Sequence, residues 1–449
     1  MMGHVWRRGN LNCIAAKGSP ERIMTICKIS EEAREQAEDK ITEMSQLGLR
    51  VIAVASLTQQ PDVNIPDRIM KCTLDLCGLI GLADPPRETV KEDIAKCNKA
   101  GIRVVMITGD NGITAASIAK KIGMQNGGRI ITGDMLIEMT DDELCERVKD
   151  VSIFSRVIPE HKMRIVKAFK KNGEIVAMTG DGVNDAPALK YADIGIAMGK
   201  RGSEVSREAA DLILMDDNFS TIVDSVEDGR RIYDNIRKAV GYVFTIHIPI
   251  ALASLLAPMM GISPADLFLL PVHVVLLELI IDPTCSIVLE RQPPEKDIMD
   301  RRPRDPKEKI LNARILSKSI LQGLVIFAAC YTTYVMMLSK NPDNAPLARS
   351  MGLAIIMIAN LLLVQVNSSD RDFAIHSIKR LAKDKVMWMI NIGTIAGLLA
   401  LLYTPLNSIL KLAPLNGMQL LSVIGIAAVS VLWYEGVKLV KTLKDNSKC

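Results

Sequence analysis

The stretch Met178-Thr-Gly-Asp-Gly-Val-Asn-Asp-Ala-Pro-Ala-Leu189 places two carboxylates, Asp181 and Asp185, in a turn that directly follows the apolar segment 174–178. Two aspartates at this spacing can reach one hard cation, and the glycines beside them let backbone N–H groups approach a phosphoryl group. The alternative is an acidic surface turn that closes a strand. The length of the pattern favours a magnesium and phosphate site.

Composition excludes several other classes of protein. The chain has 449 residues, 49% of them hydrophobic, and a net charge of +4, so two or three domains are expected and disorder is not. The basic residues are scattered, which predicts no nucleic-acid partner. The nine cysteines form no Cys-x-x-Cys pair, so neither a zinc site nor a disulfide framework is expected. Residues 1–8 are followed by no apolar run, which predicts no cleaved signal peptide.

The composition changes after Arg237-Lys238, where long apolar runs separated by short charged loops begin. Each run has roughly the 20 residues that a helix needs to cross a hydrocarbon core. Buried helices of a large soluble protein are the alternative, but the length and low charge of the runs favour an all-α bundle of six transmembrane helices. The runs lie near 240–262, 267–289, 315–338, 347–366, 386–404 and 418–437.

Loop charges predict the orientation of this bundle. Seven Lys and Arg residues lie between 291 and 309, after the second run, and five lie between 371 and 385, after the fourth, whereas the intervening loops carry almost none. Positively charged loops stay on the cytoplasmic side of a membrane. We therefore expect a multi-pass protein of the cell membrane whose soluble parts are cytoplasmic.

Residues 75–217 alternate apolar segments with amphipathic ones, which is typical of a Rossmann-like parallel α/β sheet. Strands are predicted at 76–82, 103–107 and 130–131, and helices at 88–100 and 111–122. Ligands bind at the loops that follow such strands. Thr108 follows the second strand, and its hydroxyl can bond a phosphoryl oxygen beside a helix N-terminus, which favours anions.

A lysine near the start of a helix adds to this pattern. Lys162 comes three residues after Pro159, in Phe154-Ser-Arg-Val-Ile-Pro-Glu-His-Lys162. A positive charge at a helix N-terminus is unfavourable unless an anion compensates, so Lys162 could neutralise a transferred phosphate. The alternative is a solvated lysine.

These motifs together resemble a known family. Thr108, Lys162 and the two aspartates resemble three of the four motifs of the haloacid-dehalogenase-like phosphorylation domain, and TGDGVNDAPAL resembles the hinge motif of P-type cation-transporting ATPases. The resemblance implies an α/β domain that uses ATP and Mg²⁺. The residues to which it gives a catalytic role are Thr108, Gly109, Asp110, Lys162, Asn184 and Asp185, and those that bind Mg²⁺ are Asp181 and Asp185.

Earlier segments resemble the end of the family's nucleotide-binding domain, namely Ala15-Ala-Lys-Gly-Ser-Pro-Glu21 and Gly48-Leu-Arg-Val-Ile-Ala53. The resemblance implies that Lys17 and Arg50 contact ATP, although the residue pattern alone favours a solvated lysine at position 17. Nucleotide and hinge contacts are implied for Asp84, Arg87 and Arg156. The expected domains are a nucleotide-binding remnant (1–70), a phosphorylation domain (71–237) and a membrane domain with the fifth to tenth helices (238–449).

The fourth motif, an Asp-Lys-Thr-Gly segment whose aspartate accepts the γ-phosphoryl group, does not occur in the 449 residues. The resemblance covers only the C-terminal half of the family. We therefore expect a truncated pump that needs the missing N-terminal half as a partner to hydrolyse ATP. A catalytically silent membrane remnant or regulatory module is the alternative.

Two carboxylates within the second apolar run point to a cation site. Glu278 and Asp282 lie four residues apart, so they share one helix face, and ionisable groups within a membrane are costly and usually functional. Pro283 follows at once and frees a backbone carbonyl one turn earlier. The alternative is a structural pair between a carboxylate and His273 or Lys318.

The family comparison refines this site. Asp282 matches an aspartate shared by calcium and sodium/potassium pumps, whereas Glu278 stands where calcium pumps have asparagine. Ile250 occupies a position where two-site calcium pumps have glutamate. The resemblance therefore implies one transported cation per cycle, and hard oxygen ligands favour Ca²⁺, Mg²⁺, Mn²⁺ or H⁺ over copper.

Overall fold

A computed structural model of the chain describes residues 1–60, 65–125, 127–340, 342–369, 373–374 and 384–446. The chain divides into two compact units. We call them the α/β unit, which comprises Met1–Ser225 and Met299–Pro303, and the helical unit, which comprises Val226–Ile298 and Arg304–Cys449.

The α/β unit begins with a four-stranded antiparallel sheet in the order β1-β2-β3-β4. Alternate residues of β2 and β3, such as Ile14, Ala16, Ala53 and Ala55, are buried, so one face of this sheet carries a core. Its elements are β1 (Met2–Arg8), β2 (Leu11–Gly18), α1 (Pro20–Met24), α2 (Glu31–Gln46), β3 (Arg50–Gln59), a 3₁₀ turn (Ile69–Lys71) and β4 (Asp75–Leu82).

The strand predicted at 76–82 is present, but it does not lie in the parallel sheet. The segment 76–82 was expected in the parallel sheet, but β4 pairs antiparallel with β3, with Arg50 opposite Leu82. The alternation of apolar and polar residues marks a strand without specifying its neighbour, and antiparallel pairing needs no crossover helix between the two strands.

The rest of the α/β unit alternates strands with helices and contains two three-stranded parallel sheets, β5-β7-β6 and β10-β9-β8, where one sheet was expected. Ile107 packs against the buried cluster that includes Met178 and Leu189, and this contact joins the two sheets. The elements are β5 (Met106–Ile107), β6 (Ile130–Thr132), β7 (Ile153–Ser155), β8 (Ala177–Gly180), β9 (Ile194–Met198), β10 (Leu212–Leu214), α3 (Val90–Lys99), α4 (Gly112–Lys121), α5 (Gly133–Glu138), α6 (Asp141–Arg147), α7 (Pro159–Lys171), α8 (Ala186–Tyr191) and α9 (Glu204–Ala209).

Five described helices are long and apolar enough to cross a membrane, so the chain is an integral multi-pass membrane protein. These five stretches are Phe219–Leu256, Ala313–Lys340, Ala345–Asn367, Lys385–Tyr403 and Gly417–Val440. The corresponding helices are α10 (Phe219–Met259), α12 (Ala313–Lys340), α13 (Ala345–Asn367), α14 (Lys385–Tyr403) and α16 (Gly417–Asn446), with the short α11 (Pro271–Pro283) and α15 (Leu406–Ile409) between them.

The expectation of six long spanning helices is corrected at the second run. The α-helix α11 ends at Pro283 after 13 residues, and a π-helix continues from Thr284 to Leu289. Proline cannot donate a backbone hydrogen bond, so the regular α-helical ladder is broken where Pro283 stands. The run is therefore helical from Pro271 to Leu289, with the interruption at Pro283.

Packing in the helical unit centres on α13. Leu353, Ala354, Ile355 and Ile356 are all buried within one core cluster. A Cβ added at Gly352 would collide with the ring of the buried Phe268, so only glycine leaves room for that aromatic side chain.

We expect Gly352→Ala to destabilise the helical unit by about 1–3 kcal/mol, because the added methyl group overpacks the Phe268 ring. Thermal unfolding of the detergent-solubilised chain measures this effect. Gly393→Ala in α14 is the matched control, since an added Cβ there meets no described atom within 4 Å. Equal unfolding midpoints for the two variants would contradict the packing argument.

Candidate functional site

Asp185 is buried beneath the turn that follows β8, with 5% of the residue exposed. Its Oδ2 accepts hydrogen bonds from the backbone N–H groups of Asp181 and Gly182, each at 3.3 Å, and its Oδ1 pairs with Lys162 Nζ. A Cβ added at Gly180 would lie 2.6 Å from the Asp185 Cβ. The glycine is therefore required for the turn to close over this carboxylate.

Lys162 reaches Asp185 because α7 is anchored at both ends. Pro159 lies in the first turn of the helix, where its missing N–H has no cost, and the buried Ile165 and Phe169, three and seven residues after Lys162, anchor the same side of the helix. The Lys162 side chain is 25% exposed, so its ammonium can meet a ligand from solvent while it pairs with Asp185. The structure brings these two predicted residues together.

Asp181 and Asn184 are exposed in the same turn. The backbone carbonyl of Asp181 accepts hydrogen bonds from Ser203 N at 2.8 Å and Ser206 Oγ at 3.2 Å, which fixes the turn and leaves the carboxylate open. Asp181 can therefore offer oxygen to a hard cation, whereas the oxygens of Asp185 already have partners.

Thr108, Gly109 and Asp110 form a second group at the end of β5. Thr108 Oγ1 is 3.2 Å from the Asp110 carboxylate and accepts a hydrogen bond from Asp110 N at 3.1 Å. Arg50 Nε lies 3.4 Å from the same carboxylate. An added Cβ at Gly109 would meet no described atom within 4 Å, so the turn is open. Arg50 thus reaches the predicted phosphate turn directly.

Of the other predicted nucleotide and hinge residues, Arg156 touches the Thr108–Asp110 group, because its backbone N–H donates to the Asp110 carbonyl oxygen at 3.1 Å. Lys17 is exposed on β2, opposite Val54 of β3, and Asp84 is exposed after β4. Arg87 donates a hydrogen bond to the backbone carbonyl of Asp217 at 2.6 Å. Arg156 has a positive φ of 51° and pairs with Glu21.

Sequence reasoning missed His161, the neighbour of Lys162. The residue is 5% exposed, and within the part of the chain that the structure describes its Nδ1 has no hydrogen-bond partner. Burial, and then the charge of Arg164, lower the pKa of His161. A neutral imidazole avoids a second positive charge beside Lys162. The only sequence signal was its place in the Pro-Glu-His-Lys segment.

Asp217 was also missed. It has a positive φ of 54°, and its carboxylate accepts hydrogen bonds from the N–H groups of Lys200 and Arg201, each at 3.0 Å. Burial by itself raises the pKa of Asp217, but these backbone donors and the Arg201 side chain outweigh it, so the pKa is lowered overall. The carboxylate and the Arg87 contact together fix the loop that precedes α10.

In the helical unit, Glu278 pairs with a residue that was not predicted. Its Oε1 lies 3.1 Å from His247 Nε2 on α10. Of the structural partners considered, His273 Nε2 is 2.8 Å from the Leu410 carbonyl oxygen, and Lys318 Nζ lies over the Tyr434 ring. The side chain of Asp282 lies outside the described residues.

Comparison with known proteins finds one family match in the α/β part of the chain and another in the helical part. A model of haloacid dehalogenase-like hydrolases matches residues 21–193, and a model of the cation transporting ATPase C-terminus matches residues 266–440. The chain is 34% identical to a calcium-transporting ATPase of Bacillus subtilis (strain 168) over 444 residues, which is 95% of this chain and 49% of that protein.

Relatives with other names are similar as well. The chain is 35% identical to the cation-transporting ATPase pma1 of Synechocystis sp. over 81% of this chain and 41% of that protein. It is 37% identical to the sodium/potassium-transporting ATPase subunit alpha-2 of Gallus gallus over 73% of this chain and 37% of that protein. The chain spans about half the length, or less, of these relatives.

A haloacid-dehalogenase-like α/β region followed by long apolar helices defines a multi-pass membrane protein with a hydrolase-like domain. The chain belongs to the P-type cation-transporting ATPases, of which it represents the C-terminal portion, with calcium-pump-like relatives.

Removing Lys162 should leave Asp185 buried without a cationic partner. We expect Lys162→Met to destabilise the α/β unit by about 1–3 kcal/mol. The double variant Lys162→Met/Asp185→Asn should recover part of this loss, because no buried charge remains unpaired. Denaturant unfolding monitors both, and Lys190→Met, an exposed lysine on α8, is the control. A double variant no more stable than Lys162→Met would contradict the pairing.

Asp217 should make stability depend on pH. Because its pKa is lowered in the folded state, the charged carboxylate stabilises the fold above the unfolded pKa of about 4, and this stabilisation is lost as pH falls through the folded pKa. Asp217→Asn keeps the shape and tolerates positive φ. The midpoint difference from wild type should therefore be largest near pH 7 and shrink in acid.

The exposed Asp224→Asn is the control for the pH series, because its side chain faces solvent. Thermal scans between pH 7 and pH 3 make the comparison. A difference between Asp217→Asn and wild type that is constant over this range would contradict a role for the Asp217 charge.

Proposed function

We propose that this chain supplies the phosphate-handling and cation-binding parts of an ATP-driven pump for Ca²⁺ or another hard cation, which cycles through an aspartyl-phosphate. The observation that carries the proposal is the Lys162–Asp185 pair beside the open Asp181 carboxylate, at the carboxyl end of a parallel strand. Ligands bind at this edge of α/β sheets.

Charges in this site suit a phosphoryl group with Mg²⁺. Lys162 provides a partly exposed positive charge that can stabilise negative charge developing on a transferred phosphate. Asp181 offers the open carboxylate for Mg²⁺, and Asp185, whose oxygens are engaged, positions Lys162 and the turn. Thr108 can bond a phosphoryl oxygen next to the open turn at Gly109. Bound Mg²⁺ would neutralise phosphate charge.

Nucleotide binding is proposed for the antiparallel sheet. Lys17 and Arg50 lie on its strands β2 and β3, and Arg50 also reaches Asp110 of the phosphate turn. A guanidinium in this position can meet the ATP phosphates. We assign residues 1–70 to the end of a nucleotide-binding domain, 71–237 to the phosphorylation domain and 238–449 to the membrane domain.

Glu278 and Asp282 are the proposed ligands of the transported cation. Both stand on α11, where Pro283 frees a backbone carbonyl, and intramembrane carboxylates usually mark an ion path. The proposed setting is the cell membrane with the α/β unit in the cytoplasm. The proposed partner is the N-terminal half of the pump, which provides the accepting aspartate.

Phosphoenzyme formation from labelled ATP with Mg²⁺ tests this function. We expect no label on the 449-residue chain alone and cation-stimulated label when it is produced together with the coding sequence that precedes it. In that longer protein Lys162→Ala and Asp181→Asn should each lower labelling about a hundredfold, because each removes a charge that faces the phosphate. Lys190→Ala should label normally.

Each other outcome has a definite meaning. Label on the 449-residue chain alone would show that another residue accepts the phosphate. The absence of label from both proteins would instead support a silent remnant or regulatory module. Label that Lys162→Ala leaves unchanged would remove the residue on which the proposal rests.

A further inference from the structure

The contact between His247 and Glu278 joins two groups that each present an acceptor when the imidazole is neutral. His247 Nδ1 is 2.8 Å from the backbone carbonyl oxygen of Val243, and a carbonyl oxygen only accepts, so Nδ1 carries the ring proton. In the neutral imidazole the other nitrogen, Nε2, then presents a lone pair. That nitrogen faces Glu278 Oε1 at 3.1 Å. Two lone pairs at this distance repel unless a cation lies between them, either a proton on Nε2 or a metal ion.

We propose that His247 and Glu278 together ligate a first-row transition dication of the Mn²⁺ to Zn²⁺ class in preference to Ca²⁺. This inference rests on the proposed cation site and names its substrate class. The mixed imidazole and carboxylate donor set is the main reason, because imidazole suits Zn²⁺, Fe²⁺ and Ni²⁺ whereas Ca²⁺ takes oxygen ligands.

The span between the two donor atoms agrees with this class. Metal bonds of about 2.1 Å to both atoms close a 3.1 Å gap with an angle near 95°, which is close to the 90° of octahedral geometry. Calcium bonds of about 2.4 Å would give an angle of about 80°, which the flexible coordination of Ca²⁺ also allows. The 3.1 Å separation therefore fits either ion without movement of either helix, and the imidazole nitrogen is what favours the transition metal.

Apolar surroundings make the Glu278 carboxylate unfavourable unless a cation is bound to the pair. His247 follows the buried Ile246, and Glu278 lies between the buried Leu277 and Ile281. An unpaired carboxylate is unfavourable within a membrane, so a bound cation would offset its charge. The His247 and Glu278 side chains are 42% and 36% exposed, which leaves room for further ligands or water on the metal.

Metal binding to the purified 449-residue chain in detergent tests the proposal, with Mn²⁺ as the probe. Electron spin-echo modulation should show a directly bound imidazole nitrogen in the wild type. His247→Gln should abolish that signal and weaken Mn²⁺ binding at least about tenfold. Glu278→Gln should weaken binding similarly and keep the nitrogen signal. Zn²⁺ should displace Mn²⁺, and equimolar Ca²⁺ should not.

His4→Gln is the matched control, because His4 is an exposed histidine in the α/β unit and should affect neither measurement. Nitrogen modulation that survives in His247→Gln would overturn the proposal. Displacement by equimolar Ca²⁺, or a wild-type chain that binds no metal and only takes up a proton, would overturn it too. The last two measurements need no variant, so misfolding of a mutant cannot obscure them.

Binding is measured without ATP, which separates this inference from the proposed pump. Ca²⁺-stimulated phosphorylation of the longer protein without nitrogen coordination would leave the pump intact and remove the transition-metal assignment. Nitrogen-coordinated Mn²⁺ without any phosphorylation would do the reverse.

Discussion

The carboxylate of Asp185 lies under the turn after β8, where Lys162 and two backbone N–H groups share its charge. A buried carboxylate is stable only with such partners, so α7 must bring Lys162 to the end of β8. Gly180 must lack a side chain to admit Asp185. One ion pair therefore fixes the turn that presents Asp181 to solvent, and it keeps a lysine beside the place where an anionic ligand would enter.

Buried polar groups in the helical unit also need partners, and neutral groups supply them in the following contacts. Tyr242 hydrogen-bonds to the buried Asn360, and Ser319 donates to the Gly241 carbonyl at 2.8 Å, so polar groups within the bundle satisfy one another. The regular α-helical hydrogen bonding of α11 ends at Pro283, and a π-helix follows. A proline in a membrane helix cannot donate to the carbonyl one turn earlier, so the local hydrogen-bonding pattern must rearrange there.

The sequence pattern correctly predicted features that depend only on residues close together in the chain. The strand at 130–131, the helix at 111–122 and Lys162 at a helix N-terminus follow from apolar spacing and Pro159, and the structure contains each of them. The local pattern could not predict which strands or helices pair when they lie far apart in the chain. Neither the antiparallel partner of β4 nor the split of the parallel strands into two sheets has a local signal. His247 lies 31 residues before Glu278 (278 − 247), and only the packing of two helices brings them together.

The two candidate sites share a physical logic. In each, a carboxylate that a low-dielectric environment disfavours faces a nitrogen-bearing side chain from a different helix: Asp185 faces Lys162 on α7, and Glu278 faces His247 on α10. A ligand that enters either site finds its binding groups already in place, so it binds with little reorganisation. Phosphate would compete with Asp185 for Lys162, and a metal ion would join His247 to Glu278. Because either ligand alters how these side chains interact, occupancy of either site can change the local packing of the helices that carry it.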